Sequence, residues 1–95
     1  MLTSDKCLSP HVPTAQHGHT RLRWHKPYRT LVRTRPVAWT CYCQATVYEL
    51  CEGGGQAFLR RTVQLDGKPE VHETSLRSIR TTKAIWTELL SGRAR

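Results

Sequence analysis

Between positions 37 and 51 the chain alternates residue types with a period of two, and this stretch restricts its fold more than any other feature. Odd positions hold Trp39, Cys41, Cys43, Ala45 and Val47, while even positions hold Thr40, Tyr42, Gln44, Thr46 and Tyr48. Successive side chains of a strand point to opposite faces, so the pattern predicts one long strand over 38–51 with its odd face packed. The β-branched and aromatic content of the stretch favours the same assignment.

Gly53, Gly54 and Gly55 then interrupt the pattern. The triplet reads as a turn between strands, because a phosphate-binding loop needs a following Lys-Ser/Thr and a helix. A second strand is expected over 56–65, with Ala57, Leu59, Val63 and Leu65 again on odd positions. Asp66-Gly67 is a hairpin signal. A short third strand over 70–74 follows, with Pro69 suited to its start or to an unpaired edge. Glu49 and Arg61 are the charges on the otherwise apolar odd face, and a cross-strand ion pair between them is the simplest expectation.

Beyond Ser75 the period changes. Ile79, Thr82, Ile85, Trp86, Leu89 and Leu90 recur at three- and four-residue spacings, as on an amphipathic helix. Thr81 or Thr82 is the expected cap at its start, and Gly92 closes its end. Arg93 and Arg95 fall where the helix dipole favours cations. The reading is an α+β unit over 37–95: a three-stranded antiparallel meander with one C-terminal amphipathic helix laid across its odd face.

Residues 1–36 differ in kind. They carry His11, His17, His19 and His25 together with Pro10, Pro13, Pro27 and Pro36, and they show little apolar periodicity. A flexible basic arm is expected there. Its cations Arg21, Arg23, Lys26, Arg29, Arg33 and Arg35 surround Trp24 and Tyr28. Cations neutralise phosphates and aromatic rings stack on unpaired bases, so these residues, with Arg60 on the folded unit, form the candidate nucleic-acid-binding set. Arg61, Arg77, Arg80 and Lys83 would extend the positive surface.

The whole chain has 95 residues and a formal charge of +8, which sets the expectation at one domain and favours anionic partners. Eleven of the 15 Lys and Arg residues are Arg and Asn is absent, a bias that a GC-rich coding sequence also produces, so only part of the charge is read as function. No run approaches the roughly 18 apolar residues of a membrane span, and the first twenty residues lack a secretory apolar region. A cytoplasmic location with no membrane partner is the expectation. Cys7, Cys41, Cys43 and Cys51 are then expected to be reduced thiols.

Two metal-ligand sets suggest themselves. Cys41, Cys43 and Cys51 with His72 would be one, but strand residues two apart are roughly 6.6 Å apart and zinc ligands usually come from tight turns. Buried structural cysteines are expected instead. Cys7, His11, His17 and His19 would be the other, with ligand types suited to zinc, nickel or copper. Nothing local preorganises that set, so neither metal nor other cofactor is expected.

No pair of acids has the spacing of an acid–base couple, and His72 is the one histidine of the expected folded unit able to assist a thiol, so no enzymatic activity is expected. The competing reading is a protein-interaction or self-association module. It would use Tyr42, Tyr48 and Phe58 on the even face, or an exposed sheet edge.

Overall fold

The structure is a computed structural model and describes residues 7–27, 33–65 and 67–95. It is an α+β fold whose antiparallel sheet has four main strands in the order β1-β2-β3-β4. These are β1 (Arg35–Trp39), β2 (Thr46–Gly53), β3 (Gln56–Leu65) and β4 (Lys68–Glu73). A two-residue strand, β5 (Arg77–Ser78), also pairs with β3 and leads into α1 (Ile79–Leu90).

The long strand expected over 38–51 is in fact two strands, β1 and β2, paired with each other across a reversal at 40–45. Thr40, almost fully buried, closes this reversal: its backbone N–H donates to the Tyr48 carbonyl and its hydroxyl accepts from the Tyr48 N–H, both at 2.9 Å. The three-stranded meander therefore becomes a four-stranded sheet, with β1 an added edge. Pro36 sits on that edge beside an irregularity in the register between Pro36 and Ala38, a placement that suits a residue without an N–H.

Gly54 and Gly55 form the two-residue β2–β3 turn with φ of 60° and 77°, the double positive φ of a type I′ hairpin. A two-residue turn pairs residues of opposite parity, so Leu50 faces Leu59 and Glu49 faces Arg60. The expected all-odd apolar face is accordingly replaced by even positions of β2 and odd positions of β3. Tyr48, Leu50, Ala57 and Leu59 meet Trp86 and Leu89 of α1 in the core. Val47, Cys51 and Phe58 are buried on the opposite face. The expected Glu49–Arg61 pair likewise gives way to Glu49 with Arg60 at 3.4 Å, and Arg60 also meets Glu73 at 3.2 Å.

The helix starts earlier than expected. Ser78, not Thr81 or Thr82, is its N-cap and accepts from the Thr81 N–H at 3.1 Å. Thr82 is instead buried, donating to the carbonyls of Ser78 and Ala57. At the other end Gly92 has φ 82°, its N–H meets the Leu89 carbonyl, and the Arg93 N–H meets that of Glu88. These two bonds form the Schellman closure of a helix.

Residues 7–27, expected within the flexible arm, lie against this unit. The backbone of Thr20 and Leu22 runs beside Arg93–Arg95, with Thr20 N–H to Arg93 O at 2.8 Å and Leu22 N–H to Arg95 O at 3.1 Å. His25 and Glu73 exchange backbone hydrogen bonds at the outer edge of β4. Val12, Leu22 and Trp24 pack on the core, which supplies the apolar burial that ties the segment down. No helix among the described residues is long and apolar enough to cross a membrane.

Candidate metal centre and cationic surface

Cysteine and histidine side chains from two separate segments converge at the β1–β2 reversal. The loop at 40–45 turns Cys41 and Cys43 toward the same point, with their Sγ atoms 3.2 Å apart. Residues 7–11 approach from the other side, held by the Cys41 N–H donating to the Pro10 carbonyl at 2.9 Å. Cys7 Sγ then lies 3.8 Å from Cys43 Sγ, and His11 Nε2 lies 3.3 Å from the same sulfur. All four ligand atoms lie within 4.8 Å of one another.

Cys41 is buried, Cys7 is half-buried, and Cys43 and His11 are exposed. The Gln44 side-chain amide donates to Cys43 Sγ at 3.4 Å. Hydrogen bonds from the Cys43 backbone and then its thiol, followed by that of Cys7, lower the Cys41 thiol from its ordinary 9.0 to about 6. Cys7, hydrogen-bonded first to Cys41 and then to Cys43, is pushed up to about 11. Of these two thiols Cys41 therefore carries a negative charge more readily than Cys7, because neighbouring donors face it.

Each of the two ligand sets read from the sequence supplies half of this cluster. Cys41 and Cys43 come from one and Cys7 and His11 from the other, whereas Cys51, His72, His17 and His19 stand outside it. Cys51 is fully buried on β2, and burial pushes its thiol up to about 11. We expect Cys51 to be the last thiol of the folded, metal-free protein modified by iodoacetamide at neutral pH, well after the exposed Cys43, because Cys51 is fully buried and the thiolate is the reactive form. Peptide mass spectrometry over a labelling time course measures this, and equal rates for the two would show that β2 is not packed as described.

The candidate nucleic-acid-binding residues divide into three groups. Arg21, Arg23, Lys26, Arg33 and Arg35 are solvent-exposed, and the ion pairs among the described residues involve Arg60 and Arg93 instead. Alternation along the extended segment turns Leu22 and Trp24 inward and leaves Arg21 and Arg23 outward. Tyr28 and Arg29 lie outside the described residues. Trp24 and Arg60 are already engaged: the Arg61 guanidinium covers the Trp24 ring at 4.6 Å, Trp24 tilts against Tyr48 with centroids 6.0 Å apart, and Arg60 holds its two glutamates.

The aromatic trio expected to serve protein contact does not share a face. Tyr48 and Phe58 are buried on opposite sides of the sheet, and Tyr42 alone of the three is well exposed, donating to Glu49 at 3.3 Å. Comparison with family models, with curated proteins and with solved structures finds no match to this chain.

Proposed function

We propose that this chain is a small, basic, non-enzymatic accessory protein of the cytoplasm that binds nucleic acid without sequence preference, through its phosphates. The observation that carries the reading is the set of exposed cations Arg21, Arg23, Lys26, Arg33 and Arg35 on a chain of net charge +8. Each cation brought against a phosphate releases condensed counterions, which gives affinity without base readout. Trp24, packed under Arg61, contributes to the fold and not to base stacking. Cytoplasmic placement rests on the composition alone.

A second reading rests on β1, which pairs with β2 and presents Val37, Trp39 and, just beyond, Tyr42 at 38%, 40% and 60% exposure. An edge of this kind accepts a strand from another chain.

Binding to labelled single-stranded and duplex nucleic acid over a salt series separates the two. The full chain is expected to bind with affinity falling steeply as salt rises. Replacing Arg21, Arg23 and Lys26 together by alanine is expected to reduce the log–log slope by about 2 to 3, at about 0.7 to 0.9 for each phosphate no longer neutralised. No binding at low salt would end the nucleic-acid reading and leave the β1 edge as the surface to probe.

A further inference from the structure

A tetrahedral zinc site with Zn–S distances of about 2.3 Å and Zn–N of about 2.0 Å has sulfur–sulfur edges of about 3.8 Å and sulfur–nitrogen edges of about 3.5 Å. The spacings found here are 3.2 and 3.8 Å between sulfurs and 3.3 Å between Cys43 Sγ and His11 Nε2. The Cys41 and Cys43 sulfurs are also well beyond the roughly 2.05 Å of a disulfide bond. We infer that Cys7, His11, Cys41 and Cys43 bind one Zn2+ as a closed Cys3His site, stapling the N-terminal segment to the β1–β2 reversal.

Three features of the chain fit this assignment. Four protein ligands fill a tetrahedral shell, the arrangement of structural zinc, whereas catalytic zinc keeps one position open for water. The Pro10–Cys41 backbone bond fixes the approach of the two ligand-bearing segments without using any ligand atom. Gln44 places an amide donor on Cys43 Sγ, an outer-shell hydrogen bond of the kind that orients metal ligands. Soft sulfur with imidazole in tetrahedral array suits zinc over copper(II) or nickel(II), which take square-planar nitrogen and oxygen sites.

The chemistry balances without a redox step. Zn2+ takes three thiolates and one neutral imidazole through Nε2, the Nδ1 keeps its proton, and each cysteine still protonated releases its proton to water. The filled site carries a net charge of −1. A Cys–His nucleophile would need one sulfur, one base and a third group orienting that base. Three sulfurs converging on one imidazole make a ligand shell and not that dyad.

The test uses the full chain, reduced and stripped of metal by a chelator, then titrated with Co2+ and back-titrated with Zn2+. One equivalent of Co2+ is expected to give the intense visible bands of a tetrahedral thiolate centre, and one equivalent of Zn2+ to abolish them. Cys7→Ser and Cys43→Ser are expected to weaken metal binding by more than the roughly 10–100-fold that follows removal of an outer-shell partner, while His17→Ala leaves it unchanged. Zinc is also expected to protect Cys7, Cys41 and Cys43 together from alkylation in the unaltered protein, a readout that does not depend on any variant folding. A pale octahedral cobalt spectrum, protection of fewer than these three thiols, or loss of binding in His17→Ala would overturn the assignment.

Discussion

Replacing Leu59 by alanine is expected to lower stability by about 3 kcal/mol and the melting temperature by roughly 12–24 °C. Leu59 is fully buried on β3, between β2 and β4, and faces Leu50 across the β2–β3 ladder. It lies in the cluster with Tyr48, Trp86 and Leu89, so the deleted carbons leave a void that both the sheet and the helix line. Its backbone is fixed as well, with its N–H on the Thr74 hydroxyl at 3.0 Å and its carbonyl on the Thr74 N–H at 2.9 Å. Collapse into the void is therefore restricted. A loss of this size is a large share of the roughly 5–14 kcal/mol open to a chain this long. Thermal and urea melts measure it, with Leu8→Ala, at a residue 99% exposed, as the neutral comparison. A Leu59 variant that melts like Leu8→Ala would show the core to lie elsewhere.

Gly92→Ala is expected to lose about 2–3 kcal/mol for a different reason. At φ 82° a residue with a Cβ bears a penalty of about 1–2 kcal/mol. The added Cβ would also stand 2.9 Å from the Thr14 carbonyl oxygen, which sits next to the Gln16 N–H to Gly92 O bond of 2.7 Å. Breaking that bond contributes about 1 kcal/mol more. The helix closure and the seating of residues 13–16 thus share one atom position. Faster tryptic cleavage after Arg21 or Arg23, together with a lower melting temperature, is the expected signature. An unchanged cleavage rate would mean that the N-terminal segment does not depend on Gly92 for its place.

The parts of the fold that local patterning encodes are legible in the sequence. The stripe Ile79, Thr82, Ile85, Trp86, Leu89 and Leu90 does face inward, and Gly92 does end α1. Gly54-Gly55 and the pairing of Leu65 with Lys68 sit where turn residues announce hairpins. The reversal at 40–45 is not legible, because it contains no Gly, Pro, Asn or Asp and its alternation continues unbroken through the turn. Thr40 and the converging sulfurs hold that turn, and their partners are remote in sequence or hidden within the expected strand. The exchange of parity has a geometric origin, since the length of the Gly turn decides which residues of β2 and β3 share a face.

The metal cluster is hidden in the sequence for the same reason. Cys41 and Cys43 on one flat strand could not share an ion, whereas on a loop they do approach one another. Cys7-x-x-x-His11 and Cys41-x-Cys43 carry the signal, and joining them requires the tertiary contact between Pro10 and Cys41. The exposed cations are readable as charge, but the engagement of Trp24 by Arg61 is not.

The pairing of Thr20 and Leu22 with residues 93–95 links positions more than seventy residues apart in sequence. Closing so long a loop sacrifices much chain entropy for a few backbone bonds, so this contact is expected to form after the β2–β3 hairpin and α1 have already met. By the same reasoning it opens at a smaller free energy than the central strands. The acquisition of the native state is thus divided in time, with a locally connected hairpin and helix assembling first and the N-terminal segment sealing their exposed flank last.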